Sequence, residues 1–431
     1  MTEKHTLRLG IAGLGTVGCG VIDIIQQHST LLSCRTGTNI IISAVSARNK
    51  QMQRDVEIST YDWEDDALAL ATRDDVDIVL ELIGGSDGIA YDLCKTALTH
   101  GKHVVTANKA LIAHHGAELA ALAATHHAQL LFEAAVAGGI PVIKTIKQAL
   151  AANEYGTITA ILNGTCNYIL STMEETGRSF DDVLKEAQEL GYAEADPAFD
   201  IDGVDASHKI CIISALAYGT LPDIDHIYAE GIRHITVQDI QAAHEMGYVI
   251  RLIGTTSRID EGIELYVYPA LLPHHHVIAG VHGVDNAVHI AGDAIGELFI
   301  KGPGAGREAT ASAVMSDILD IMRGDISHSF INPIAELSLP KIIPIKIHQS
   351  AYYIRLCVSD EAGVLAKITH IFAQYNISVA SLTQHPQDAK GNAHIIITTH
   401  QACEDNINQS LNLIKDDPYC AEAPRFIRIA S

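Results

Sequence analysis

Three short stretches carry the groups that redox chemistry on a small polar substrate requires. The first is Gly13-Leu14-Gly15-Thr16-Val17-Gly18. Its first glycine permits a tight turn, its second lets the backbone approach a pyrophosphate, and its third lets a helix pack closely on a strand. The apolar run 7–12 before it reads as a strand and the run 21–25 after it as a helix. In that setting the N–H groups of Thr16 and Val17 open a helix toward phosphate oxygens; outside it the motif would be a glycine turn and nothing more. The second stretch is Thr106-Ala107-Asn108-Lys109, at the carboxyl end of an expected strand 103–106, where α/β sheets bind their ligands. Thr106 and Lys109 are placed there to meet a cofactor. The third is Asp205-Ala206-Ser207-His208-Lys209, with Asp205 and Lys209 one helical turn apart. Hydride transfer to an aldehyde leaves an alkoxide that must collect a proton, and Lys109 and Lys209 are the candidate donors. An Asp–Lys pair at this spacing is also compatible with a surface ion pair worth about 0.3–0.5 kcal/mol. The apolar continuation of the helix to 217 argues that this pair stands at the edge of a core.

Two further stretches bear on specificity. Gly191-Tyr192-Ala193-Glu194-Ala195-Asp196-Pro197 puts carboxylates in a loop, and Glu194 could hold the ammonium of an amino acid or be one more solvated acid. The second strand runs into Ser46-Ala47-Arg48-Asn49-Lys50, without the acid that usually holds a ribose 2′-hydroxyl. Arg48 and Lys50 either receive a 2′-phosphate, which favours NADP over NAD, or form a solvated basic turn. Cys166 offers a thiol for a thioester mechanism, but the sequence supplies no paired base. The run His274-His275-His276 lacks spaced partners and points its rings in different directions, so it is not read as a zinc site.

The elements that must position these groups follow from the pattern of apolar runs. Strands are expected at 7–12, 40–45, 77–83, 103–106 and 130–136, with helices at 63–72, 87–99 and 110–125 between them. Alternation of this kind builds right-handed βαβ units and a parallel, Rossmann-type sheet over residues 1–138. Residues 139–322 read as an α+β catalytic and dimerisation domain, with a helix 141–151, a strand 158–162, a buried helix 206–217 and strands 263–271 and 287–299. The proline-marked stretch 323–349 reads as a linker. Residues 350–431 then give strand, helix, strand, strand, helix, strand, the ferredoxin-like order, with Asp360 as N-cap of the first helix.

The chain has 431 residues and a formal charge of −23, which disfavours nucleic acid and anionic membrane as partners. Eight scattered cysteines without a CxxC pair, and no apolar run of membrane length, lead us to expect a reduced, cytoplasmic setting.

The motifs GLGTVG, VLELIGG at 79–85, VVTANKAL at 104–111, FEAAVAGGIP at 132–141, NGTCNYIL at 163–170, GYAEADP at 191–197, DGVDASHK at 202–209 and KGPGAG at 301–306 appear in order over nearly the whole chain. In this the sequence resembles the monofunctional homoserine dehydrogenases that carry a C-terminal ACT domain. The resemblance implies interconversion of L-aspartate 4-semialdehyde and L-homoserine with NADP or NAD, in threonine and methionine biosynthesis. It implies that Lys209 transfers the proton, that Lys109 lies between cofactor and substrate, and that Glu194 and Asp205 hold the substrate. It implies a structural monovalent cation, sodium, bound through oxygens of Glu133, Val136, Gly138 and Ile140, for which hard oxygen ligands are apt. Gly304 and Gly306 match a loop that closes near the cofactor. The ACT domain implies an amino acid effector, threonine, and the family implies a homodimer or homotetramer. A thioester-forming dehydrogenase using Cys166 and a silent amino acid sensor on the same scaffold are the alternatives.

Overall fold

The computed structural model describes residues 6–325, 327–385 and 391–430. Six strands, β1 (Thr6–Ala12), β2 (Asn39–Ser46), β3 (Asp62–Glu64), β4 (Ile78–Glu81), β5 (His103–Thr106) and β6 (Leu130–Leu131), form a sheet of order β3-β2-β1-β4-β5-β6. Every neighbouring pair is parallel. The order reverses between β1 and β4, which opens a crevice at their carboxyl ends. β4 is buried along its whole length, as a strand covered on both faces must be.

Several elements differ from expectation, each because a distant partner overrides local pattern. The run 63–72 is not one helix: Trp63 and Glu64 pair with Val45 and Ser46 as β3, and only Leu68–Thr72 is helical. Strand pairing in 130–136 stops after Leu131, because the Glu133 N–H turns to the Asp317 carboxylate at 2.8 Å and Glu133–Ala135 becomes a 3-10 turn. The helix at 141–151 is α-helical only over Val142–Lys144 and then widens into a π-turn. The helix expected at 21–25 is the core of a longer one, Thr16–Thr36.

A helix that the sequence pattern did not announce, Arg307–Arg323, packs along Thr16–Thr36 and shares the core of the first sheet. Gly20 makes the approach feasible, since a Cβ there would stand 2.9 Å from the Arg307 carbonyl oxygen.

The second sheet is mixed. It contains β7 (Tyr155–Ile161), β8 (Tyr228–Ala229), β9 (Tyr248–Ile259), β10 (Gly262–Pro273), β11 (Asp285–Gly292), β12 (Gly296–Pro303), β13 (Gln349–Ser359), β14 (Val379–Gln384), β15 (Asn392–Thr399), β16 (Ala402–Cys403) and β17 (Cys420–Ile429). Its main path runs β12-β11-β7-β9-β10-β17-β13-β15-β14. β9 was not anticipated, and the single strand expected at 287–299 is a hairpin that turns at Gly296 with φ 72°.

The C-terminal βαββαβ order is as expected, yet its sheet is not separate. β17 pairs in parallel with β10 at Ala270–Arg428 and Leu271–Ile429, so the strands of the C-terminal unit and those of the preceding domain form one surface. Helix Val364–Gln374 starts at a left-handed Gly363 without a side-chain cap; Asp360 instead accepts from the Gln384 amide at 3.1 Å. The stretch 323–349 is held rather than free. Phe330 is buried against Phe132, two 3-10 turns interrupt it, and Ile263 exchanges backbone bonds with Lys341 and Ile343.

At the β10–β17 contact the Arg428 side chain is fully buried. Its guanidinium donates to Glu404 Oε2 and Glu230 Oε2, both at 2.7 Å, and to the Tyr228 hydroxyl at 3.3 Å, with the Tyr268 ring 4.6 Å away. Nearby, Arg355 of β13 donates to the buried Asp239 at 2.7 Å. No helix among the described residues is long and apolar enough to cross a membrane.

Candidate active site

Two clefts bear on the candidate chemistry, one of them at the carboxyl ends of β1 and β2. The first, of about 430 Å³, is lined by Gly13, Leu14, Gly15, Ser46, Arg48 and Arg54 among others. The three motif glycines divide the labour that their spacing suggests. Gly13 sits at φ 101°, and a Cβ there would meet the Leu82 carbonyl oxygen at 2.3 Å. A Cβ at Gly18 would meet the Gly13 oxygen at 2.0 Å, so it seals helix against strand. Gly15 has open space where its Cβ would be and leaves the helix start, with Thr16 and Val17, without a side-chain cap. Backbone N–H groups and the positive end of the helix dipole are thereby offered to an anion.

Of the two basic residues after β2, Arg48 lines this cleft, whereas the Lys50 ammonium lies 5.6 Å from the Trp63 ring centre. Arg54, which the sequence reading passed over, also borders the cleft. Its guanidinium is fixed by the carbonyls of Leu14, Asn49 and Met52 at 2.8–3.3 Å. Thr106 does not face the cleft. It is fully buried, and its hydroxyl donates to Glu81 Oε2 at 2.6 Å. Glu81 Oε1 in turn accepts from the Ile83 and Gly84 amides, and Asn108 caps helix Lys109–Thr125 while donating to the Gly85 carbonyl. Thr106 therefore braces the loops after β4 and β5, and it reaches a ligand only through them.

The second cleft, of about 490 Å³, gathers Lys109, Asn163, Glu194, Asp200, Asp205, Lys209, Asn286, Gly304 and Gly306. Asp205 is its fixed point. It is 4% exposed at the start of helix Val204–Tyr218, where it accepts from Lys209 Nζ at 2.8 Å and Asn163 Nδ2 at 2.9 Å. Its other oxygen lies 3.2 Å from Lys109 Nζ. Burial works against ionisation here, but the Lys209 and Lys109 charges and the bonds from Lys209 and Asn163 overcome it and hold the carboxyl at about 2. The surface ion pair is thus set aside: this pair is at the core edge and shared with a second lysine.

Lys209 spends two of its three N–H groups, on Asp205 and on the Leu162 carbonyl at 2.7 Å, which leaves one for a ligand. Lys109 rests over the Phe199 ring at 5.5 Å. Glu194 is exposed on the rim of the cleft, and its backbone carbonyl accepts from the Gln188 amide at 3.0 Å.

Asn163 and Asp200 were missed by the sequence reading. Asn163 is fully spent: its oxygen caps helix Gly164–Thr176 through the Cys166 N–H at 2.8 Å, and its amide bridges Asp200 and Asp205. An asparagine directly before an apolar helical run is an N-cap signal, which could have flagged it. Burial pushes the Asp200 carboxyl up, with the Asn163 bond opposing, and Asp205 adds to the rise. Cys166 is fully buried and donates to the Asp200 carbonyl at 3.2 Å, and burial raises its thiol well above the usual range. Those are the surroundings of an inert thiol, not of a nucleophile.

The residues matched to a cation loop lie behind this cleft. Glu133, Val136, Gly138 and Ile140 are all buried. Ala137 and Gly138 are both left-handed, at φ 56° and 54°, which curls the chain and its carbonyls into a tight loop. The Glu133 carboxylate is occupied by the Ile143 and Lys144 amides at 2.9 and 2.8 Å. A Cβ at Gly138 would strike the Gly304 carbonyl oxygen at 2.4 Å, so this loop and the Gly304–Gly306 loop touch.

Comparison with known proteins agrees with this geometry. The family model for the homoserine dehydrogenase NAD-binding domain matches residues 13–133, that for homoserine dehydrogenase matches 141–319, and that for the ACT domain matches 352–418. The chain is 43% identical to homoserine dehydrogenase of Neisseria gonorrhoeae over 97% of both chains. It is 42% identical to that of Pseudomonas aeruginosa over 94% of both. Among solved structures, homoserine dehydrogenase of Thiobacillus denitrificans superposes with a TM-score of 0.93 at 40% identity, covering 99% of this chain and 98% of that one. A hyperthermophilic archaeal homoserine dehydrogenase in complex with NADPH superposes with a TM-score of 0.63 at 28% identity, over 75% of this chain and 99% of that one. The chain belongs to the homoserine dehydrogenase family, the NAD(P)-dependent oxidoreductases that act on a CH–OH group, and carries an ACT domain.

Proposed function

We propose that the enzyme interconverts L-homoserine and L-aspartate 4-semialdehyde, with Lys209 as the proton-transferring residue. The observation that carries this reading is the single buried carboxylate, Asp205, shared by two lysines at the mouth of the second cleft. A nicotinamide cofactor, when bound along Gly13–Gly18, supplies or accepts the hydride. In the reducing direction the aldehyde carbon gains that hydride, and its oxygen becomes an alkoxide that takes the unspent Lys209 proton. In the oxidising direction Lys209 removes the hydroxyl proton as the hydride leaves. Asp205 orients both lysines and keeps the site charged for this exchange. Lys109, in the wall of the second cleft, assists by holding positive charge beside the developing oxyanion. The amino acid end of the substrate is bipolar. Glu194 suits its ammonium, and the start of helix Gly164–Thr176, which lines the cleft, suits its carboxylate.

NADP is the preferred cofactor in this reading, because β2 ends without an acid and Arg48 borders the first cleft. The hard oxygens of the Glu133, Val136, Gly138 and Ile140 loop fit a sodium ion through their backbone carbonyls. Threonine is the expected effector of the ACT domain, and the working form is a homodimer or homotetramer. A cytoplasmic setting rests on the eight free thiols.

The test is oxidation of L-homoserine by the purified full chain, followed through the reduced cofactor with NADP and NAD in parallel, with and without threonine. Turnover with NADP favoured is expected. A folded protein without turnover would overturn the reading.

A further inference from the structure

Asn286 lies on β11 in the wall of the second cleft and has no role among the groups assigned above. It is 1% exposed, and neither its Oδ1 nor its Nδ2 has a hydrogen-bond partner among the described residues. A buried primary amide left unpaired at both ends is costly, and native proteins rarely keep one without a ligand to satisfy it. Its neighbour is built around it. A Cβ at Gly304 would fall 2.0 Å from the Asn286 Cγ, so only glycine at that position leaves the amide its space. Gly304 belongs to the 303–306 segment that borders the same cleft and lies directly against Asn286.

The unmet pair is one donor and one acceptor, side by side. A carboxylate would satisfy the donor and leave Oδ1 bare, and an ammonium would do the reverse. A second primary carboxamide satisfies both in one planar, two-bond ring. We propose that Asn286 is a positioning residue that receives the carboxamide of the nicotinamide ring, with the Gly304 segment shifting to admit it. This rests on the nicotinamide-dependent reading of the two clefts. It adds a device that sets the ring's orientation, and hence the face from which hydride moves, apart from the residues that hold phosphate.

The experiment is direct calorimetric binding to the full chain of NADPH and of the reduced 3-acetylpyridine analogue. That analogue keeps the acceptor oxygen but has a methyl group in place of the N–H donors. Two neutral hydrogen bonds together correspond to roughly tenfold in affinity. The analogue forgoes one of the two bonds, so the wild-type chain is expected to bind NADPH about threefold more tightly than the analogue. Asn286→Ala is expected to lose about tenfold for NADPH and only about threefold for the analogue, which brings the two to equal affinity, with the homoserine KM within about twofold of wild type. Equal wild-type affinity for the two cofactors overturns the proposal, and this arm needs no variant to fold. Equal losses for both cofactors in Asn286→Ala, or a raised homoserine KM with NADPH affinity intact, also overturn it. Absence of binding by either nicotinamide form would strike the cofactor reading itself, a result distinct from a loss of discrimination.

Discussion

The second cleft and the β10–β17 junction each bury an ion network, and their stoichiometries are opposite. In the cleft one carboxylate, Asp205, serves two lysines, and Lys209 retains an unspent N–H. At the junction one guanidinium, Arg428, is shared by two carboxylates and a tyrosine hydroxyl and is walled by aromatic rings. Desolvating either network costs several kcal/mol per ion unless the partners are complete. The junction is complete and closed, which suits a joint. In the cleft two ammonium groups converge on one buried carboxylate and one donor stays free, which suits a site where negative charge develops. Burial of charge alone does not distinguish function from structure; the count of unspent donors does.

Removing Lys209 should break the comparison most visibly. Lys209→Ala is expected to lower kcat by about 10³-fold, within the range for a lost acid–base group, with cofactor Kd nearly unchanged by fluorescence titration. Should the variant lose stability but keep turnover, the cleft would be a second joint. The mirror experiment is Arg428→Ala. It strands Glu404 and Glu230 and should cost about 3–5 kcal/mol in chemical denaturation, while the folded enzyme keeps its kcat.

A third change sharpens the electrostatic side. His208, one residue before Lys209, is packed on the His114 and Phe199 rings. Burial first, and then the positive charges around it, push its imidazole down to about 4. The unfolded chain therefore binds a proton between pH 4 and 6.5 that the folded chain refuses, so stability climbs with pH across that window. The climb should amount to about 3 kcal/mol. His208→Phe should flatten it in urea denaturation measured from pH 4.5 to 7. The smallest effect belongs to the outer rim of the first cleft. Arg48→Ala should weaken NADP binding about tenfold, near 1.4 kcal/mol, and leave NAD unaffected.

Much of the first cleft was legible in the sequence because its parts are contiguous. A strand, three glycines and a helix start form one local unit, and Asp205 and Lys209 are fixed by helical spacing alone. The ferredoxin-like order of the C-terminal strands was legible for the same reason. What escaped depends on partners far along the chain. Helix Arg307–Arg323 lies against Thr16–Thr36, Trp63 is drawn into a strand by Val45, and Asp200 acquires its role through Asn163. Lys50 and Thr106 show the complementary limit. Their positions in the motifs are right, but side-chain direction is settled by Trp63 and Glu81, which the motifs do not specify.

The pairing of β17 with β10 has a consequence for how the chain is made. β10 leaves the ribosome long before β17 exists, with its edge unpaired at Ala270 and Leu271. An open edge of that kind invites pairing with other chains. Final closure of the second sheet at this edge therefore waits on residues 420–429, and a nascent chain halted before residue 420 would leave that strand edge open. The C-terminal domain thus completes its neighbour's sheet, whatever else it does.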